Sequence, residues 1–219
     1  MKIKISFFGA VEEVTGSNYL MEIEGDESSG KKSLRILVDC GLFQGSRVSE
    51  EKNSEPFPYK PSSLDAVLVT HAHLDHIGRI PKLAKEGFRG KIYSTYPTKD
   101  FAKLMLIDSI GVLSKEARKD GKIHPIYLEE DVEMAMELWE AKNYGESFEI
   151  GGINVSFRDA GHILGSAMLE ITGSGKSAGE PKKKLVFTGD LGNSPEPLIR
   201  PTEVIKDISF LVTESTYGD

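Results

Sequence analysis

The sequence predicts a layered α/β fold in which helices cover the faces of a sheet. Short apolar or alternating runs, typical of strands, are concentrated toward both ends of the chain. Longer runs with helical periodicity lie between them. The chain has 219 residues, of which 39% are hydrophobic and 28% are charged. This composition is typical of a globular protein with a substantial buried core.

Nine segments have the character of β-strands. Each is short, is either uniformly apolar or alternating, and is often bounded by Gly, Pro or Asp. The predicted strands are 3–9, 17–24, 34–39, 66–70, 91–95, 153–158, 166–172, 184–188 and 209–213.

Three longer segments have the periodicity of α-helices: 77–87, 98–119 and 129–142. Pro97 lies near the start of the second and Gly121 just past its end, which are the positions that these residue types favour. In the third, Val132, Met136 and Trp139 recur at helical spacing. We expect that stripe to pack into the core.

Charge and cysteine content limit the classes of function. The net charge of −7 argues against non-specific coating of nucleic acid, which needs a broad basic surface. Local basic stretches fit either solvated helix faces or a track for RNA: Arg79, Lys82, Lys85, Arg89 and Lys91, then Lys115, Arg118, Lys119 and Lys122.

No apolar run approaches the length of a membrane span, so no membrane partner is expected. The single cysteine, Cys40, excludes an internal disulfide and fits a reducing cytoplasm. We expect its thiol to be buried and inert, because it lies inside an apolar strand.

A histidine-rich segment follows the apolar run 66–69 and holds three of the five histidines. His71 and His73 are two positions apart and could not share a helix face, so we expect a loop on which their imidazoles converge. Asp75 and His76 then offer an oxygen and a nitrogen to a second point. Zn²⁺ accepts both donor types, so the spacing predicts two metal ions, against the alternative of a polar loop that is merely rich in histidine.

Three further polar motifs lie at the ends of predicted strands. Asp39 closes the third strand, His162 follows the strand 153–158, and Asp190 follows the strand 184–188. Each alone is also typical of an ordinary turn or a satisfied buried residue. Ligands of α/β sheets gather beyond the carboxyl ends of strands, so together with the histidine segment these residues predict one site.

In this order the motifs resemble those of the metallo-β-lactamase fold, an αββα sandwich. The resemblance covers essentially the whole chain and is strongest to the RNA-processing branch called β-CASP, which includes ribonuclease J and the endonuclease of pre-mRNA 3′-end cleavage. Three segments point to that branch: Gly9–Ser17, Leu42–Gly45 and Glu214–Asp219.

The resemblance implies a ligand set for two Zn²⁺ ions. One ion would be held by His71, His73 and His162, the other by Asp75 and His76, and both by Asp190. Asp39 would buttress the histidine loop by hydrogen bonds, and Ser166 would line the metal pocket.

The implied activity is hydrolysis of RNA phosphodiester bonds by a metal-bridged hydroxide, in RNA processing or decay in the cytoplasm. Asp75 would orient the hydroxide and accept its proton, and Glu214 would help to position a general acid on a later segment. The same chemistry opens lactones, thioesters and lactams, so a small-molecule hydrolase is the second interpretation. A non-catalytic subunit of an RNA-cleavage complex is the third.

The chain departs from the pattern at its C-terminal end. In the family the second zinc takes one more histidine, from a segment after the cap domain. The fifth histidine here, His124, precedes His162, and we expect it at the surface. Residues 1–213 would form the metallo-β-lactamase domain, apparently incomplete, and 214–219 the start of a connection to an absent cap.

The chain could then be a fragment, half of a split enzyme or a short relative with altered metal binding. We expect it to need the missing segment or another chain, or to associate with itself.

Overall fold

The structure is a computed structural model that describes residues 2–25, 32–45, 51–119, 121, 124–173, 183–193, 195, 197–216 and 218. Within these ranges the chain forms two β-sheets packed face to face and a layer of helices on the outer face of the first sheet. The predicted α/β layering is confirmed.

The first sheet contains six described strands in the order in which they occur along the chain. The first three pair antiparallel and the last four pair parallel. Its strands are β1 Ile3–Phe7, β2 Tyr19–Ile23, β3 Leu34–Val38, β4 Ala66–Leu68, β5 Lys91–Thr95 and β6 Trp139–Lys142.

The second sheet contains five described strands, in the order β11-β10-β9-β8-β7. All neighbours pair antiparallel except β10 and β11, which are parallel. Its strands are β7 Ser147–Ile150, β8 Ile153–Asp159, β9 Ala167–Gly173, β10 Lys184–Phe187 and β11 Phe210–Val212.

Four α-helices are described: α1 Leu74–Ile77, α2 Ile80–Lys85, α3 Tyr96–Lys119 and α4 Glu129–Glu137. Two short 3₁₀ segments, Lys52–Ser54 and Pro61–Ser63, lie in the long connection between β3 and β4. No helix in the described part of the chain has both the length and the apolar character that crossing a bilayer requires.

Two separate cores follow from the alternation of side chains along the strands of the first sheet. In β3, Leu37 packs with the helices, whereas Ile36 and Val38 pack against the second sheet. Because both faces of β3 carry apolar side chains, the strand can be covered by helices on one side and by the second sheet on the other.

The nine predicted strands are all present, eight of them with shifted ends, but three predictions need correction. The predicted helix 129–142 ends at Glu137, and Trp139 begins a strand that pairs with Ile92 in β5. The prediction that its apolar stripe lies in the core is confirmed, because Val132 and Trp139 are buried and Met136 packs against them. The strand β7 was not predicted.

The predicted helix 77–87 is the third correction, because it forms two short helices, α1 and α2. Their junction falls at Gly78, two residues before Ile80. A Cβ on Gly78 would lie 2.4 Å from Leu42, so this junction packs against the turn that follows β3.

Two of the basic residues in the local stretches are buried, contrary to both interpretations of those stretches. The Arg79 Nε donates to the carbonyl of Gly41 at 2.6 Å, and the Lys82 Nζ donates to the carbonyl of Asn53 at 3.0 Å. Both cations therefore fasten loops inside the protein instead of facing solvent or RNA. Cys40 is buried as expected, and burial raises the pKa of its thiol to about 11.

Candidate metal centre

The polar motifs meet where strands of both sheets end. Asp39 directly follows β3, and Asp190 lies three residues past the end of β10. The amide of Ala167 in β9 donates to the carbonyl of Thr70 at 2.8 Å, which ties the second sheet to the histidine segment of the first. The predicted convergence of these motifs is present.

Two glycines let the loops approach at backbone distance. A Cβ on Gly41 would lie 1.5 Å from the carbonyl oxygen of Asp75, and one on Gly192 would lie 1.5 Å from the carbonyl oxygen of Gly161. Any other residue would push the metal-ligand candidates apart, because these neighbours are backbone atoms that cannot rotate away.

A first cluster of donor atoms brings together His71, His73, His162 and Asp190, one atom from each lying within 4.8 Å of all the others. The His73 Nδ1 lies 3.1 Å from His71 Nε2 and 3.3 Å from His162 Nε2. The Asp190 Oδ2 lies 3.7 Å from the Nε2 atoms of His71 and His162.

These separations fit a tetrahedral metal. Bonds of about 2.0–2.1 Å from zinc to nitrogen or oxygen place two ligand atoms about 3.3–3.4 Å apart. Four of the six separations among the three imidazoles and the carboxylate are 3.1–3.7 Å and the other two are within 4.8 Å, so the donor set suits a divalent ion such as zinc.

A second cluster lies on the other side of Asp190. The His76 Nε2 is 3.2 Å from Asp190 Oδ1 and 3.8 Å from Asp75 Oδ2. Because Asp190 presents Oδ2 to the first cluster and Oδ1 to the second, its carboxylate can bridge two ions. All six residues predicted as ligands therefore lie in two adjoining clusters.

Asp39 supports the second cluster through hydrogen bonds. Its Oδ2 lies 2.8 Å from His76 Nδ1, and its two oxygens accept the amide and the hydroxyl of Thr70, each at 2.8 Å. The bond at Nδ1 leaves Nε2 as the nitrogen that faces the cluster, which is how carboxylates orient metal-binding imidazoles. Asp39 adopts the left-handed region at φ 56°, which Asp tolerates better than most residues.

The electrostatics distinguish the two clusters. Burial, reinforced by the neighbouring imidazoles, lowers the pKa of His71 well below its ordinary value, so His71 is neutral and keeps a free lone pair. Burial also lowers the pKa of His73. At His76 burial acts in the same direction, but the carboxylates of Asp39 and Asp190 outweigh it and raise the pKa to about 10. An ion held by the second cluster would therefore have to displace a proton from His76.

A network of hydrogen bonds fixes the loop that carries His162. The Ser166 Oγ accepts the amides of His162 and Ile163 at 3.0 and 3.2 Å, and Tyr144 donates its hydroxyl to the Ser166 carbonyl at 2.8 Å. Ser166 thus anchors the His162 loop. Its expected role in lining the metal pocket stays a prediction.

Glu214 braces the Asp190 loop. Its Oε1 accepts the amide of Leu191 at 2.7 Å, and its Oε2 accepts that of Thr216 at 3.4 Å. It also lines a cavity with Tyr19, His76 and Asp190. This geometry is that of a positioning residue, and the catalytic role expected for Glu214 stays a prediction.

Reasoning from sequence missed several supporting residues. Thr70 could have been identified as a supporting residue, because its hydroxyl side chain directly precedes His71 in the sequence. Tyr144 gave no signal, because its partner Ser166 is 22 positions away. His124 is exposed, as expected, and does not belong to the first donor cluster.

Comparison with known proteins agrees with this geometry. Residues 31–205 match the sequence profile of the metallo-β-lactamase superfamily domain. Ribonuclease TTHA0252 of Thermus thermophilus is 37% identical over 99% of this chain and 44% of its own length.

Two archaeal relatives are similar over a comparable range. The transcription termination factor FttA of Methanosarcina mazei is 34% identical over 99% of this chain and 32% of its own length. RNase aCSPSF2 of Saccharolobus solfataricus is 31% identical over 94% of this chain and 40% of its own length. The chain thus spans less than half the length of these curated relatives, which agree with the resemblance to RNA-processing proteins.

Proposed function

Because this chain belongs to the metallo-β-lactamase superfamily, we propose that it is a metal-dependent hydrolase that cleaves RNA phosphodiester bonds in RNA processing or decay. The observation that carries the proposal is the pair of donor clusters that share Asp190. The choice of RNA as the substrate is supported by the names of the similar proteins, two of which are called ribonucleases.

We assign two Zn²⁺ ions to these clusters. His71, His73 and His162 would hold one ion, Asp75 and His76 the other, and Asp190 both. When bound, such a pair of ions acidifies a water molecule and stabilises negative charge on a phosphate. Three imidazoles in one cluster favour zinc over magnesium or calcium, which prefer oxygen ligands.

The protein's own groups supply orientation and proton transfer. Asp75 would orient the attacking water and accept its proton, since a carboxylate at the rim can exchange that proton with solvent. Its side chain is 18% exposed, whereas that of His71 is fully buried. Glu214, through the amide of Leu191, would keep Asp190 aligned between the ions.

The exposed edge of the centre is the place for substrate. The side chains of His162 and Asp190 are about a quarter exposed, whereas that of His71 is fully buried. We place the reaction in the cytoplasm, where a single buried thiol stays reduced.

The direct test is activity of the purified chain on labelled RNA beside a panel of thioester, lactone and chromogenic lactam substrates. We expect cleavage of RNA, by the chain itself or once the segment or partner that it is expected to need is supplied, and we expect zinc chelation to abolish this cleavage and zinc to restore it. Turnover confined to the small molecules would replace the proposal with a small-molecule hydrolase.

Substitution of the bridging carboxylate sharpens that test. Asp190→Ala should lose at least about a hundredfold in RNA cleavage, because both ions lose a ligand. Asp108→Ala, on the exposed surface of α3, is the matched control and should keep full activity. Unchanged cleavage by Asp190→Ala would contradict the assignment.

A further inference from the structure

The turn between β8 and His162 is closed by the last residue of the strand, Asp159. The Asp159 Oδ1 accepts the amide of Gly161 at 2.9 Å. Gly161 has a left-handed backbone at φ 67°, which glycine adopts without strain. A bond from an Asp side chain to the amide two residues on reverses the chain. Asp159 therefore determines the direction in which the backbone reaches His162, three positions later.

The same turn lies against the loop that carries Asp190. The carbonyl of Ala160 accepts the amide of Gly192, two residues after Asp190, at 2.9 Å. His162 and Asp190 are the two members of the first cluster that come from the second sheet. The 3.7 Å between His162 Nε2 and Asp190 Oδ2 therefore depends on how this turn is held.

A third segment, residues 200–203, fixes the turn from outside the two ligand loops. The Thr202 hydroxyl donates to the carbonyl of Ala160 at 2.9 Å. The amide of Glu203 donates to the carbonyl of Asp159 at 2.9 Å, and the Glu203 Oε1 accepts the amide of Asp159 at 3.3 Å. Asp159 is only 6% exposed. Its amide, carbonyl and carboxylate are thus all bonded, and the residue has one position.

We propose that Asp159 is a positioning residue that sets the spacing between His162 and Asp190 and so determines how tightly the first cluster binds its ion. The inference rests on the proposed binuclear centre and assigns part of its geometry to a residue that is not a ligand. Ser166 holds the amide of His162 itself, whereas Asp159 fixes the preceding turn against the Asp190 loop. The role requires an oxygen acceptor and not a charge, because the bond that closes the turn goes to a neutral amide.

The test uses Co²⁺, whose d–d absorption bands report the arrangement of ligands around the ion. In metal-free protein titrated with Co²⁺, Asp159→Ala should bind the first equivalent about tenfold to a hundredfold more weakly and with shifted bands, since losing a group that supports a ligand has effects of this size. Asp159→Asn keeps an acceptor oxygen at the same place and should restore both the affinity and the bands.

A third variant keeps the test decisive if Asp159→Ala does not fold. Asp159→Glu retains a carboxylate, but its longer side chain cannot close the same turn. We expect it to bind the first equivalent as weakly as Asp159→Ala and with shifted bands.

A buried aspartate in the helix layer provides the matched control. Asp131 is also 6% exposed, and its Oδ2 accepts a backbone amide, that of Leu128, at 2.9 Å at the start of α4. Asp131→Ala should lower stability by removing this cap, but it should bind the first equivalent with the affinity and bands of the unmodified chain. The control separates positioning of the ligands from a general loss of stability.

The outcomes separate this inference from the proposed function. If the unmodified chain binds two equivalents, but Asp159→Ala and Asp159→Glu bind the first one with unaltered affinity and bands, the inference is wrong while the binuclear centre stands. Binding by Asp159→Asn as weak as that by Asp159→Ala would also overturn it, because the effect would then come from charge. If the unmodified chain binds no cobalt with bands of imidazole coordination, the centre and the inference both fail.

Discussion

At the scale of single residues, Asp39 does the most to prepare the centre. It forms three hydrogen bonds with Thr70 and His76, and the one to His76 Nδ1 leaves Nε2 as the nitrogen that faces Asp190. Its position at a strand end and its place in the motif order made it predictable from sequence. Its left-handed backbone and its partner Thr70 were not, because both depend on how the following loop folds back.

Asp39→Asn tests this role. Asn tolerates the same backbone conformation, so the variant should fold, but it removes the charge that holds the proton on His76 Nδ1. We expect zinc affinity to fall by about tenfold to a hundredfold, measured by competition with a chromogenic chelator.

A second aspartate provides the control. In Asp65→Asn the replaced carboxylate also accepts a hydrogen bond from a backbone amide, that of Arg35. Asp65 precedes β4, whereas the histidine segment follows it. Its zinc affinity should equal that of the unmodified chain. Equal affinity in Asp39→Asn as well would show that His76 is oriented by other contacts.

At the scale of elements, the start of α3 is joined to the loop that carries His162. The Thr95 hydroxyl caps the helix by accepting the amide of Thr98 at 3.4 Å. Both threonine hydroxyls lie within hydrogen-bonding distance of the carbonyl of Gly165, at 2.6 and 2.8 Å. The helix therefore positions a metal-ligand candidate from the opposite sheet.

The double variant Thr95→Val with Thr98→Val replaces both hydroxyls by methyl groups and tests this contact between α3 and the His162 loop. The buried carbonyl of Gly165 would lose its donors, so the free energy of unfolding should fall by about 1–3 kcal/mol in urea titrations. Zinc binding at the cluster of His71, His73 and His162 should weaken as the loop loosens.

A threonine that takes no part in the contact between α3 and the His162 loop serves as the control. Thr172→Val on β9 changes the same group on a partly exposed strand and should leave zinc affinity unchanged. If the double variant loses stability but keeps its zinc affinity, the contact between α3 and the His162 loop stabilises the fold and does not position the metal ligands.

Prediction of elements from sequence succeeded where periodicity is local and failed where partners are distant. The strand β4 is apolar over its whole length and β3 is apolar except for Arg35, so both could be predicted directly from sequence. Trp139 follows α4 at helical spacing, and only pairing with Ile92 makes it a strand. The contacts of Thr95 and Thr98 with Gly165 span 70 and 67 positions, which no local pattern encodes.

At the scale of the whole molecule, the described edge of the second sheet is apolar. Phe210 and Leu211 of the edge strand β11 are 56% and 52% exposed. Nearby in sequence, Leu198 and Val204 are more exposed still. An uncharged edge strand with apolar side chains is a template for pairing with another chain.

We expect the purified chain to associate as its concentration rises, as measured by light scattering. Leu211→Lys should reduce association, because a charge on an edge strand opposes pairing. Val112→Lys, on the exposed surface of α3, is the control and should not. A monodisperse monomer at every concentration would contradict this expectation.

The central claim is that these loops build a centre for two metal ions, and zinc content measures it most directly. Elemental mass spectrometry of the purified 219-residue chain should give about two zinc ions per molecule. The variant Asp75→Ala should keep the ion of the histidine cluster and lose the other. A zinc content no higher than that of a variant lacking His71 and His73 would contradict the claim.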